Sequence, residues 1–335
     1  MRVQTTGLHL ALLVLIFGLA AAAVGAQQVK IEKIPYFNQP NCYKLSNGTA
    51  EVIVTTDIGP RVIAYRFVGE ENILGELEPD AVVKTDLGDW HPWGGHRLWH
   101  APEGMPRSYF PDDSPIAAQI VGADSIRLTQ PVEPATNIQK EMLVKLDPAG
   151  THVSLTHILT NKGLWPVDLA PWGLTIMNGG GVTIFPNEPY IPHSEKLLPA
   201  RAMVLWHYTD LSDPRWTFGK KFIRLRTDSK LNEPNKAGAA NKQGWAAYLR
   251  QKTLFIKRFP YVEGANYPDL GCNFETYTAG DFMEIETLGP MVKLAPGAST
   301  THIEHWYLFK GVEAGDAEKS LEAAIMPLVE KAVTK

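Results

Sequence analysis

The chain has 335 residues, with 32 Lys and Arg against 36 Asp and Glu, for a formal charge of −4. That balance excludes an electrostatic nucleic-acid binder. Hydrophobic residues at 44% and charged residues at 20% supply a core and exclude a disordered chain, and 28 Gly and 25 Pro call for many turns.

The first predicted element is a leader. Arg2 supplies a short positive start, and Leu8 to Val24 is apolar apart from His9 and Gly18. Val24-Gly25-Ala26 places small residues where a secretory signal is cut, so residues 1–26 are expected to be removed before Gln27. The alternative is an uncleaved anchor. Removal predicts a periplasmic or secreted protein with no membrane attachment. In an oxidising compartment Cys42 and Cys272 could pair; two buried free thiols is the competing reading.

From Gln27 the pattern is short strands punctuated by Gly, Pro, Asn and Asp. Ala50–Thr56 and Arg61–Phe67 flank Asp57-Ile58-Gly59-Pro60, which predicts a hairpin. Ala117–Val121 and Ser125–Thr129 flank Gly122-Ala123-Asp124 in the same way, and Ile138–Leu146, His152–Thr160 and Val167–Met177 follow. Later strands are expected at Phe222–Arg226, Gly244–Leu249, Leu254–Lys257, Phe274–Thr278, Phe282–Leu288 and His302–Phe309. Two segments break the pattern: Leu87–Pro115 predicts a long functional loop, and Leu231–Gln243 an exposed linker. One helix is predicted, from about Gly315 to Val333 on a Leu321, Ile325, Leu328, Val329 stripe, with Pro327 expected to kink or end it. The fold class is therefore mainly β: a large antiparallel β-sandwich over residues 27–312, with a carboxy-terminal helix over 313–335.

Three constellations carry candidate chemistry. Asp89–Glu103 holds three His, three Trp, Arg97 and a Gly pair. Gly94-Gly95 would let the backbone approach a ligand. Trp93 and Trp99 could stack on a sugar ring while His96 and Arg97 bond its hydroxyls. His91, His96 and His100 fit neither a helix face nor a strand face cleanly, so no metal site is expected. In Phe282–Leu288, Glu284 and Glu286 share one strand face, and Met283 and Ile285 the other. A carboxylate so placed can be a general base tuned by burial and by its neighbour; the plainer reading is a solvated face. In His302–Trp306, His302, Glu304 and Trp306 share a face, which reads as strand packing. His157, among Val153, Leu155 and Leu159, reads as a satisfied core histidine. Asn178-Gly179-Gly180-Gly181 lacks the Lys-Ser or Lys-Thr of a phosphate loop, and no dinucleotide fingerprint exists, so no cofactor is expected.

With these residues in view, the chain resembles the galactose mutarotase-like, or aldose 1-epimerase-like, superfamily. Thr276-Tyr277-Thr278-Ala279-Gly280-Asp281-Phe282 resembles that family's Val-Tyr-Thr-x-x-Asn-Phe turn. Glu286-Thr287-Leu288, Pro290, Leu294-Ala295-Pro296-Gly297 and Tyr307-Leu308-Phe309 resemble its closing Glu-Thr-Gln, Pro, Leu-x-Pro-Gly, Tyr-x-Phe order. Ile58–Val62, Gly94-Gly95 and Asp168–Trp172 resemble earlier family segments more weakly. The resemblance implies a many-stranded sandwich with a sugar cleft on one sheet and Glu286 at the position of the catalytic base. It also exposes a departure: the family's two active-site His positions fall on Trp93 and Trp172, which is similar to a distinct bacterial, secreted branch. Mutarotation needs a base for the anomeric hydroxyl and an acid for the ring oxygen. An indole is too weak an acid, so His96 or His91 would have to serve, from a loop folded over the cleft. The site expected is Glu286 and His96 as catalytic groups, with Trp93, Arg97, Trp99, Trp172 and Glu284 binding a carbohydrate. The other readings are a sugar-binding module without turnover, a glycan lyase or hydrolase on the same fold, and a purely structural role.

Overall fold

The computed structural model describes Met1 and residues 28–333. The expected leader lies outside the described residues. Among the described residues, no helix is long and apolar enough to cross a membrane.

Two large sheets carry the architecture, and all their pairings are antiparallel. The first, of eleven strands, runs in the order Lys30–Tyr36, Gln39–Ser46, Ala50–Val54, Arg61–Phe67, His96–Ala101, Val167–Met177, Phe282–Leu288, Phe274–Ala279, Asn235–Ala239 and Met203–Leu205; Val292–Leu294 pairs with Val167–Met177 off that path. The second, of ten strands, runs Trp216–Phe218, Phe222–Arg226, Gly181–Pro186, Trp245–Arg250, Thr253–Arg258, Ser299–Lys310, Val153–Asn161, Ile138–Leu146, Ser125–Thr129 and Ala117–Val121. A separate hairpin pairs Val83–Thr85 with Gly88–Trp90. Alternation explains the layering. Val52, Val54, Val62, Met283 and Ile285 from the first sheet pack on Met142, Val144, Leu155, Phe255 and Trp306 from the second, in one apolar core. The fold class is the expected β-sandwich.

The helix spans Glu318–Lys331 and buries Leu321, Ile325 and Val329 against Ile184, Trp245 and Ile256 on the outer face of the second sheet. Pro327 does not end it. Pro327 and Ala323, whose carbonyl loses its donor, both face solvent, so water can replace the missing bond.

Three expectations need correction. Leu87–Pro115 is not a loop throughout, because His96–Ala101 is a central strand with all six residues buried. Leu231–Gln243 is not an exposed linker, because Asn235–Ala239 is a fully buried strand. Gly94 and Gly95 do not open the backbone to a ligand. A Cβ on Gly94 would lie 2.2 Å from the Gly75 carbonyl oxygen, and one on Gly95 2.2 Å from that of Val62. The pair lets the chain squeeze between two backbones on its way into the sheet. Cys42 and Cys272 are both buried and free, so of the two readings they do not pair.

Candidate functional site

Three neighbouring strands build the site. Trp172 stands opposite Trp99 and Leu288, and Leu174 opposite Arg97 and Glu286. This register turns Arg97, Trp99, Trp172, Leu174, Glu284 and Glu286 to the outer face of the first sheet. There they line a cavity of about 320 Å³, closed by Trp90, Glu103, Tyr109, Tyr208, Lys236, Tyr277 and Phe282. Trp99 is the hub of its aromatic wall, with ring centroids 5.4 Å from Trp90, 4.8 Å from Tyr109 and 5.3 Å from Trp172. The Arg97 guanidinium lies over the Trp99 and Trp90 rings, at 4.6 and 5.2 Å.

Charges are paired across the cavity floor. Arg97 Nη2 donates to Glu284 Oε1 at 3.0 Å. Lys236 Nζ lies 2.7 Å from Glu275 Oε2 and 3.0 Å from Glu286 Oε2, and the Trp172 indole donates to that same Glu286 oxygen at 3.0 Å. Glu286 Oε1, Arg97 Nε and Arg97 Nη1 are buried and have no partner among the described residues. Burial holds the Glu284 and Glu275 carboxyls above the usual range, against the pull of Arg97 and Lys236 respectively. Burial alone would lower the Lys236 ammonium, but Glu275 and Glu286 hold it well above its usual value.

The structure thus brings Arg97, Trp99, Trp172, Glu284 and Glu286 together, and leaves Trp93 and His96 out. Trp93 packs against His91 in a tilted arrangement, with ring centroids 5.1 Å apart, and is not among the residues lining the cavity. His96 is a correction. As the residue before Arg97 on a strand, it points the other way, into the space between the sheets, and is fully buried. There its Nδ1 meets Thr175 Oγ1 at 2.8 Å and its Nε2 meets His157 Nε2 at 2.7 Å. His157 is the satisfied core histidine expected, with Nδ1 donating to the His302 carbonyl at 3.0 Å.

His96, His157 and Glu304 bring ligand-type atoms within 4.8 Å of one another, a set that could suggest a metal centre. Its geometry suits proton sharing better. The two imidazoles meet head to head, with centroids 4.9 Å apart, so their Nε2 atoms point at each other rather than at a common third point. Both Glu304 oxygens are already taken, by Lys257 and Thr287 on one side and Trp306 on the other.

Sequence reasoning missed Lys236, Tyr208 and Arg61. Lys236 lies in the segment read as a linker. Arg61, fully buried, donates to the Pro92 and Gly94 carbonyls and pairs with Asp112 at 2.7 Å, pinning the segment that enters the site strand.

No family model matches the chain, and no curated protein matches it. Solved structures do. A TPR-domain containing protein from Parabacteroides distasonis superposes with a TM-score of 0.55 at 14% identity, covering 83% of this chain and 49% of that one. This chain therefore spans about half the length of that protein. A galactose mutarotase-like protein from Lactobacillus casei gives a TM-score of 0.52 at 12% identity, covering 80% of this chain and 100% of that one. A candidate aldose 1-epimerase from Klebsiella pneumoniae gives 0.55 at 10% identity, covering 90% and 87%. At such identities the likeness establishes the fold, which is galactose mutarotase-like.

Proposed function

We propose that the protein binds an uncharged carbohydrate in the cavity lined by Trp99, Trp172, Glu284 and Glu286. The observation that carries this reading is the pairing of an aromatic wall with buried carboxylates that keep acceptor atoms unused, above all Glu286 Oε1. Indole and phenol rings pack on the C–H face of a sugar, and carboxylates accept from its hydroxyls. The two cations that line the cavity are already engaged by carboxylates, Arg97 by Glu284 and Lys236 by Glu275 and Glu286. An acidic sugar would find no unneutralised positive charge there. The amino-terminal leader would put this cleft in the periplasm or outside the cell, and mass spectrometry of the native protein should find Gln27 first.

Turnover is the second reading, and one observation favours it. Burial raises the Glu284 carboxyl above its usual range, which suits a proton donor, and Glu286, two residues along the same strand, keeps its Oε1 unused. Glu286 would then take the anomeric proton and Glu284 would supply one to the ring oxygen, which assigns the acid role to Glu284 in place of His96. Polarimetry separates the readings. An epimerase speeds the optical equilibration of a freshly dissolved aldose and loses that activity in Glu286→Gln. A binding module gives calorimetric binding with no change in the equilibration rate. A panel of neutral sugars that neither binds nor equilibrates would overturn both.

A further inference from the structure

Behind the cavity floor, on the inner face of the same strands, lies a polar cluster inside an otherwise apolar layer. Lys257 reaches in from the second sheet and donates to Thr175 Oγ1 at 2.5 Å, to the Ile285 carbonyl at 3.1 Å and to Glu304 Oε1 at 3.1 Å. Glu304, also from the second sheet, accepts from Thr287 Oγ1 and, at 2.7 Å, from the Trp306 indole. His302 Nε2 meets Thr287 Oγ1 at 2.7 Å. Lys257, Glu304, Thr175, Thr287, His96 and His157 have no exposed surface, and His302 is 2% exposed.

The hydrogens of this cluster can be assigned by elimination. The His302 carbonyl only accepts, so His157 Nδ1 carries a proton and its Nε2 accepts. His96 Nε2 must then donate, which leaves its Nδ1 to accept from Thr175. Thr175 in turn accepts from Lys257. The chain of bonds runs one way from Lys257 to the His302 carbonyl with both imidazoles neutral. Burial pushes both of these imidazoles below their usual range, which agrees with that assignment.

On the site strands, the positions held this way are direct neighbours of cavity residues. Thr175 and Ile285 are opposite each other in register, as are Gly173 and Thr287. Ile285 separates Glu284 from Glu286, Thr287 follows Glu286, and Gly173 follows Trp172. Glu304 comes so close that a Cβ on Gly173 would lie 2.6 Å from its Oε1, so any larger residue there would push the Glu304 carboxylate from its place. A buried ion pair contributes little net stability, because desolvation offsets its attraction, and apolar residues of similar volume commonly do as well. Its constraint on geometry is what apolar packing would not reproduce.

We propose that Lys257 and Glu304 are positioning residues for the cavity: from the opposite sheet they fix the strands of Trp172 and Glu286 relative to each other, and so hold the indole of Trp172 on the Glu286 carboxylate. The functional importance of this device rests on the cavity reading above, but its test needs no sugar. The measurement is hydrogen exchange of indole N–H groups in full-length protein labelled with 15N-tryptophan, with the Trp172 signal assigned by Trp172→Phe. Trp216, whose indole donates to Asn235 and touches none of the replaced groups, is the reference. In the double variant Lys257→Met/Glu304→Leu, the Trp172 indole should exchange at least about tenfold faster while Trp216 keeps its protection. Equal acceleration of both indoles would mean a general stabilising role, and unchanged Trp172 exchange no role; either overturns the proposal. Should the double variant not fold, Thr175→Val, which removes the hydroxyl that Lys257 holds and that in turn donates to His96, gives the same reading: faster Trp172 exchange alone supports the proposal, and an unchanged rate or equal acceleration of Trp216 refutes it. Failure of every sugar to bind would defeat the functional reading and leave this result standing.

Discussion

Together the three strands His96–Ala101, Val167–Met177 and Phe282–Leu288 carry polar groups on both faces, and the two faces are built differently. On the inner face, His96, Thr175, Thr287, Lys257 and Glu304 are hydrogen-bonded to one another without solvent. On the outer face, Arg97 keeps two nitrogens unused and Glu286 keeps an oxygen unused beside a cavity. Buried polar groups normally find partners, so unused acceptors and donors next to a void mark where a ligand would bond. A closed network marks a structural element. Polarity alone does not tell the two apart, nor do unused atoms alone, since among the described residues His302 Nδ1 and both His100 ring nitrogens are also buried without partners on the inner face; unused atoms that border the cavity of Trp99 and Glu286 do.

The sharpest way to break this contrast is to remove one partner from each face. Glu304→Ala leaves the Lys257 charge buried and unpaired, and should lower the unfolding free energy by about 3–5 kcal/mol. Glu286→Gln keeps Lys236 paired with Glu275 and should leave the melting transition close to that of the unaltered protein. Urea unfolding of the two variants checks this; equal losses would mean that the faces do not differ.

The fit of the sealed face can be probed alone. Gly173→Ala drives a methyl group against Glu304 Oε1 and should cost about 1–3 kcal/mol, the usual penalty for overfilling a packed layer. A neutral effect by thermal unfolding would show that the two sheets have room to part.

The faces also predict opposite pH trends. Burial holds His96, His157 and His302 below the usual imidazole range, His302 at about 3. Below about pH 6.5 the unfolded chain takes up protons that these folded imidazoles refuse, so stability falls as the pH drops toward about 3. Each imidazole contributes up to about 1.4 kcal/mol per pH unit in that window. On the outer face, burial raises Glu275 and Glu284 above their reference value of 4.5. There the folded state holds protons that the unfolded state releases, so these groups lose stability as the pH rises above about 4.5. Glu275→Gln should flatten that loss and leave the acid limb untouched. Unfolding free energies measured across pH 3 to 8 with and without the substitution decide it, and a changed acid limb would place Glu275 in the wrong group.

Much of this was legible in the sequence. Arg61–Phe67, Ile138–Leu146, Val167–Met177 and Phe282–Leu288 have the expected boundaries, because runs of apolar, β-branched and aromatic residues bounded by turn residues mark them. The pairing of Glu284 and Glu286 on one face followed from the same period. His96–Ala101 was not legible as a strand, since it is buried on both faces and polar toward each, which erases the alternation. Asn235–Ala239 failed for another reason. Its small residues fit under Cys272 and Trp206, and its Lys236 is buried in an ion-pair cluster, so it carries no hydrophobic signal. The side to which His96 turns depends on the register of that strand against Thr175, which no local pattern encodes. With His96 on the sealed face, the acid expected of it is absent from the cavity.

Binding at Glu286 is the most direct test of the account. Isothermal titration calorimetry of the full chain with a panel of neutral mono- and oligosaccharides should find at least one ligand whose affinity falls by about 1–3 kcal/mol in Glu286→Gln, the worth of a charge-assisted hydrogen bond. A sugar that binds equally well to both proteins would place the ligand elsewhere and contradict the assignment of this cavity.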